Sequence, residues 1–471
     1  MLTAKPTRPD PWALIPIAAG LFWLTGSSAH WLLCALIPGI LLLSGGTSQI
    51  LWPGETRIVQ AIAGGSVLGV VLAIPAAFAS GIGSALLAAL WSALSFVAAG
   101  RISLSKIPSI PGVPAPEHSL PMYVKAALDE ALLSYFILIS NIPNGDEAEA
   151  ICDAACEVEA ALASTGVRAD PLLLHRVPPV PEDVVLTPGR ALGHTFEWLS
   201  YSSGFVADTR LHGAADWELA RANRQCHALV FRQKEESRPW LLCIHGFRMG
   251  IPALDLQLFP PGWLHQRLRL NVVMPHLPLH GRRRIGRFSG DRYLDGNILY
   301  LLHTQSQALW DLRRTIAWIR TQDPGARIGV LGFSLGGYNA ALLACYEAGL
   351  DFVVAGIPLS DFAPALWRHL PQPVKEYFHS RGFDVVAFER MLEPVSPLSR
   401  PPLLDRTRLG IFAGAGDRIV EPELPQRLGA HWGVPVDWYQ GAHLTFRGED
   451  AVRRTIDTAM LRAGWKVDRS A

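Results

Sequence analysis

Cysteine and charge are both scarce in this chain. Six cysteines in 471 residues are too few to frame a disulfide scaffold, and no two of them form a CxxC pair. Such usage points to a reducing compartment. Cys152 and Cys156 fall in the helix-like DEAEAICDAACEVEAALAS and read as two thiols on one helical face rather than as metal ligands. Charged residues make up 18 % of the chain, and Lys+Arg 42 against Asp+Glu 41 leaves a formal net charge of +1. This balance offers no support for nucleic-acid binding. No GxxxxGK[ST] phosphate loop is present.

The missing charge is concentrated in one region. Residues 11–100 hold two formal charges, Glu55 and Arg57, both inside LWPGETRIVQ. On either side lie apolar blocks, about Pro11 to Leu43 and Val59 to Ala99, interrupted by GSSAH and ASGIGSA. A span across the hydrocarbon core needs ~20 apolar residues and must be helical, because lipid satisfies no backbone polar group. The expected arrangement is four short spans in two helical hairpins over 1–100. The alternative is two true spans after a re-entrant or interfacial hairpin. Trp12, Trp23, Trp31, Trp52 and Trp91 stand near block ends, where indoles suit the headgroup layer. Lys5, Arg8, Arg57, Arg101 and Lys106 fall outside the hairpin turns. The positive-inside tendency then places them, and the C-terminal domain, on the cytoplasmic side of a multi-pass membrane protein.

Residues 101–190 read as a proline-rich linker, SKIPSIPGVPAPEHSLP, followed by accessory helices. Strand-like segments then alternate with helical ones: CHALVFRQ, WLLCIHG, LRLNVVMPHLP, ARIGVLGFSLGG, DFVVAGIPLSD, RLGIFAGAGD and VPVDWYQGAH. This alternation predicts an α/β domain over 191–471 with a mostly parallel sheet covered on both faces.

The informative motif is Gly332-Phe333-Ser334-Leu335-Gly336-Gly337, which follows RIGVL and opens a small-residue helix. In a nucleophile elbow the serine sits on a strained strand-to-helix turn, and the next amide points at the forming oxyanion. Ser334 is therefore the candidate nucleophile. A base and an orienting acid belong later in the chain, acid first. Asp417, in RLGIFAGAGDRIV, and His443, in WYQGAHLTF, fill those places. Asp361 and Asp405 are rival acids; His431, His369 and His379 are weaker bases. The backbone N–H groups of Phe247 and Leu335 are the expected oxyanion donors, with Arg248 as runner-up and His245 bracing the loop.

On these residues the chain resembles the α/β-hydrolase superfamily over roughly 225–460. The resemblance rests on His245-Gly246-Phe247, Gly332–Gly336, Gly414-Ala415-Gly416-Asp417 and Gly441-Ala442-His443. MPHLPLHGRRR with the later SGD also looks like the alpha/beta hydrolase domain-containing protein 18 subgroup. The superfamily pattern implies an eight-stranded sheet, a Ser-Asp-His triad and no cofactor; the chemistry asks for no metal. The expected activity is hydrolysis of acyl esters through an acyl-enzyme, with membrane lipids as partners and a lipid or lysophospholipid as substrate. A catalytically silent membrane scaffold of the same fold is the alternative. His276, Arg282, Arg283 and Arg284 are candidate ligands for an anionic head, against a reading of the cluster as a basic surface or as ion pairs to Asp291 and Asp295. The segment 361–405 is a candidate cap, with Trp367, Phe378 and Phe383 as its apolar contacts.

Overall fold

The structure, a computed structural model, describes residues 9–26, 29–233, 237–294 and 296–466. Lys5, Arg8 and Asp295 lie outside the described residues. The chain divides into two compact units, one comprising Met1–Ser140, Ala413–Glu423 and Trp438–Glu449, the other the remainder.

The first unit is helical: α1 (Leu14–Leu24), α2 (Ala29–Leu51), α3 (Arg57–Ser80), α4 (Ile82–Ser105) and α5 (Leu120–Ile139). Three segments, His30–Leu51, Arg57–Ser80 and Ile82–Ser105, are long and apolar enough to cross a membrane. α1 is a shorter apolar helix, of 11 residues against the ~20 of an ordinary span. Asp10 pairs with Arg101, and the Lys106 ammonium reaches the Gln49 side chain and the Glu55 carbonyl, at 2.9 and 3.0 Å. These bonds gather the start of α1, the α2–α3 loop and the end of α4 at one end of the bundle. Small residues let the helices approach closely, and the buried seam includes Leu42, Ile62, Ala63, Ala88 and Ala99. The outward faces are apolar too, with Leu33 81 % and Phe78 91 % exposed.

Two of the tryptophans expected at headgroup depth are core residues instead. Trp23 and Trp31 stack with ring centroids 5.0 Å apart. Their N–H groups bond to the Ser92 hydroxyl (3.1 Å) and the Trp23 carbonyl (2.8 Å) respectively. A buried indole must place its single donor, and here both donors are used inside the bundle. Trp52, by contrast, is exposed.

The second unit contains α6 (Gly145–Thr165), α7 (Ala214–Leu219), α8 (Pro252–Leu258), α9 (Leu301–Gln322), α10 (Leu335–Ala344), α11 (Phe362–Trp367), α12 (Gln372–Ser380), α13 (Val385–Leu392), α14 (Glu423–Trp432, less its first residue) and α15 (Asp450–Arg462). The strands are β1 (Val185–Ala191), β2 (His194–Ser202), β3 (Gln225–Phe231), β4 (Trp240–Ile244), β5 (Asn271–Pro275), β6 (Ile328–Phe333), β7 (Phe352–Gly356), β8 (Leu409–Gly414) and β9 (Asp437–Tyr439). Their order is β1-β2-β3-β5-β4-β6-β7-β8-β9. The pairs from β1 through β3 to β5 are antiparallel, and those from β5 through β4, β6 and β7 to β8 are parallel. Parallel strands joined through helices, with an antiparallel edge, are the α/β-hydrolase arrangement. Among the described residues the sheet has nine strands rather than eight, and it begins at Val185, ahead of residue 191. β4, β6 and β7 are buried along their whole length, as strands covered on both faces must be.

Candidate active site

Ser334 joins β6 to α10 with φ 58° and ψ −116°, a backbone region that non-glycine residues adopt only under constraint. The constraint is visible on both sides. The Ser334 N–H donates to the Gly356 carbonyl on the neighbouring strand (2.9 Å), and its carbonyl accepts from Tyr338 N–H at 3.0 Å. The turn is so tight that a Cβ on Gly332 would stand 2.0 Å from the Gly336 oxygen, and one on Gly336 would stand 1.9 Å from the Ile244 oxygen. Both glycines are therefore steric requirements of the elbow. Leu335 begins α10 directly after the serine.

The loop after β4 lies against the same turn, since a Cβ on Gly246 would come 3.7 Å from the Ser334 Cβ. His245 braces this loop. Its Nε2 accepts the Leu277 N–H (3.2 Å), and its Nδ1 lies 2.8 Å from the Gly246 carbonyl. Burial drops its pKa to about 4, so it is neutral. The Arg248 N–H, the alternative oxyanion donor, already donates to His280 Nε2 at 3.3 Å.

Asp417 and His443 are brought together within the helical unit. His443 Nδ1 lies 2.6 Å from Asp417 Oδ2. The other oxygen of Asp417 accepts the Ile419 and Val420 N–H groups, at 2.9 and 2.8 Å. Burial alone would lower the pKa of His443, but the charge of Asp417, their hydrogen bond and the charge of Asp129 together raise it above its ordinary value. The rival acids are engaged elsewhere. Asp361 caps α11 through Ala363 N–H (3.1 Å) and pairs with Arg427 (3.3 Å), while Asp405 bonds Thr407. Of the weaker histidines, His431 contacts the Arg400 carbonyl (2.8 Å) and His379 packs on Trp367.

The anionic-head cluster separates into two kinds of residue. Arg283 is turned inward and fully buried, with Nη2 donating to Asp311 (2.7 Å) and to the Asn223 carbonyl (2.9 Å), and Nη1 to the His276 carbonyl (3.1 Å). His276 is buried as well. Neither is placed to meet a substrate in solution; both hold the loop after β5. Arg282 and Arg284 remain exposed, Arg282 with its guanidinium 3.7 Å from the Trp198 ring centroid. Asp291 is the partner of Arg248. In the cap segment, Trp367, Phe378 and Phe383 join Phe388 in one aromatic cluster linking α11, α12 and α13.

Sequence reasoning missed Asp129 on α5. Its Oδ2 accepts the backbone N–H of Arg418 (3.0 Å) and of His443 (2.8 Å), and its Oδ1 that of Leu444 (3.2 Å). The neighbouring Glu130 pairs with the buried Arg418 (3.2 Å) and bonds Ser103. The one sequence trace is the acidic pair inside the otherwise apolar AALDEALL.

No family model matches the chain. Over 289 residues it is 38 % identical to the "Uncharacterized protein Rv2627c" of Mycobacterium tuberculosis strain ATCC 25618 / H37Rv, a match covering 61 % of this chain and 69 % of that protein. The same values hold for the "Uncharacterized protein MT2702" of strain CDC 1551 / Oshkosh. Among solved structures, an acetyl xylan esterase from Paenibacillus sp. R4 is similar at 15 % identity and TM-score 0.43, covering 64 % of this chain and 94 % of that chain. Acetyl xylan esterase 1 from Thermoanaerobacterium sp. JW/SL YS485 is similar at 16 % identity and TM-score 0.41, covering 69 % and 96 %.

Proposed function

The chain belongs to the family of the Mycobacterium tuberculosis protein Rv2627c, and we propose that it is a membrane-anchored serine hydrolase that cleaves acyl esters through an acyl-enzyme. The observation that carries this reading is the backbone of Ser334, held at φ 58° and ψ −116°. Such strain costs of order 1–3 kcal/mol and is characteristic of functional positions. The Asp417–His443 hydrogen bond supports it, because a scaffold has no use for an oriented imidazole.

In the proposed mechanism Ser334 Oγ attacks the ester carbonyl carbon while His443 Nε2 takes its proton. Asp417 holds Nδ1–H and stabilises the imidazolium. The N–H groups of Leu335 and Phe247 receive the oxyanion. Collapse expels the alcohol, which takes the proton from His443. Water activated by the same imidazole then attacks the acyl-enzyme and releases the carboxylic acid and Ser334.

Three apolar helices with lipid-like outer faces support a membrane anchor, and a membrane-dwelling acyl lipid is the substrate class that such an anchor favours. With Arg283 and His276 facing inward, an anionic head such as that of a lysophospholipid rests on Arg282 and Arg284. The cytoplasmic placement of the hydrolase domain rests on the basic residues Lys5, Arg8, Arg57, Arg101 and Lys106 of the sequence, and the finer subgroup likeness on MPHLPLHGRRR with the later SGD.

Fluorophosphonate labelling of the detergent-purified protein tests the reading. We expect one adduct, mapped to Ser334 and absent in Ser334→Ala. A folded protein that takes no label would leave the silent scaffold standing in its place.

A further inference from the structure

We infer that Asp129 of α5 is a positioning residue for the proposed acid–base pair, fixing both where His443 sits and how much negative charge it faces. This rests on the reading of Ser334, Asp417 and His443 as a triad.

Three backbone N–H groups from two separate loops end on one fully buried carboxylate. Arg418 directly follows the proposed acid, and His443 is the proposed base. Two oxygens thus tie together the loops that must hold Asp417 and His443 at hydrogen-bond distance. No neutral side chain can do the same. An amide offers one acceptor oxygen, and its NH2 group would oppose either the Leu444 N–H or the Arg418 and His443 pair. The loops are pinned at further points on α5, since Lys125 donates to the Gln440 carbonyl and pairs with Glu449, both at 2.9 Å.

The charged groups around Asp129 come from every neighbouring element. Glu130 and Lys125 lie on α5 itself. Asp417, Arg418 and Glu421 come from the loop after β8, Tyr439 from the end of β9, and His443 and Glu449 from the loop after it. Lys106, at the end of α4, faces Glu130 and Arg418. Burial and the charge of Asp417 push the Asp129 carboxyl up to about 7, while the charge of His443 and the N–H bonds from Arg418 and His443 act in the opposite direction. In its ionised form Asp129 favours the imidazolium of His443. Removing that charge moves the His443 pKa down, so an activity that requires neutral imidazole persists to lower pH.

The test is the pH dependence of fluorophosphonate labelling on the full-length, detergent-purified protein, which needs no known substrate. Loss of labelling in Ser334→Ala and His443→Ala secures the triad; if His443→Ala labels normally, the triad reading fails before Asp129 is in question. With the triad secured, Asp129→Asn should label Ser334 about tenfold more slowly near neutral pH, with its acid limb about half to one unit lower. Asp129→Glu keeps the charge but displaces it by a methylene, and should label slowly with the limb near its wild-type position. An Asp129→Asn profile with an unmoved limb would overturn the inference, as would wild-type labelling by Asp129→Glu. If neither variant yields folded protein, Asp129 is a structural group and the positioning role is withdrawn.

Discussion

Arg282 and Arg283 are neighbours in sequence with opposite fates. Arg283 and Asp311 form a buried ion pair, and Asp311 also accepts the Ser203 hydroxyl. Removing one member of such a pair strands the other charge in a low-dielectric site, at about 3–5 kcal/mol. Arg283→Met should therefore lower the melting temperature by about 5–8 °C. Arg282→Ala gives up a cation–aromatic contact worth about 0.5–1 kcal/mol and should melt within a few degrees of wild type. Thermal unfolding of the two variants side by side decides the matter. Equal melting temperatures would contradict the structural role assigned to Arg283, and the run of three arginines in HGRRR gives no hint of it, because nothing local marks which guanidinium meets Asp311. The elbow was legible for the opposite reason. Its determinants, an apolar strand, two glycines and a small-residue helix, all lie within a few residues of Ser334.

Among the elements, β1 and α1 depart most from what their sequences suggest. β1 contains Pro188 and Gly189, both poor in a sheet interior. The strand is an edge, paired only to β2, where a proline costs no ladder bond. Its two-residue turn uses Leu192 and Gly193, both at positive φ, so the Asn-Gly type of hairpin signature is missing. The seven strands from β3 to β9 were readable as apolar runs between turns, and the acid and base were readable because each follows such a run. Asp129 was not, since a single acidic pair on a helix says nothing about partners 289 and 314 residues away. α1 raises the question of parity. If α1–α4 all cross, reporters fused at the N-terminus and after residue 110 report the same side of the membrane. If only α2, α3 and α4 cross, they report opposite sides. The bonds joining Asp10 to Arg101 and Lys106 to the α2–α3 loop place Asp10 and Lys106, the paired residues nearest the two fusion points, at one end of the bundle. We expect the same side, and opposite readings would make α1 an interfacial helix on an odd number of spans.

For the molecule as a whole, buried histidines and buried carboxyls respond to acid with opposite signs. His175 and His245 are pushed down to about 4, and His276 and His280 well below their ordinary value, in each case chiefly by burial. The folded state keeps these rings neutral, while the unfolded chain takes up protons as pH falls through the ordinary imidazole range. Their contribution to stability is then full above that range and is lost progressively on the way down toward pH 4, whereas Asp129, Asp255 and Asp361, pushed up to about 7 chiefly by burial, contribute with the opposite sign. An imidazole titration followed by NMR should find the His175 and His245 rings still neutral at pH 5, and a ring that charges in the ordinary imidazole range would contradict their neutral burial. Asp129 carries a different consequence, in time rather than in pH. Its partners are made 289 and 314 residues after it, so at about 5–20 residues per second the carboxylate waits roughly 15–60 s for them. The earlier-made helical unit is thus completed only after Asn141–Phe412 have been made. A chain stalled before Ala413 carries an acidic gap in an apolar helix, which a cell's quality control can recognise as an unfinished product.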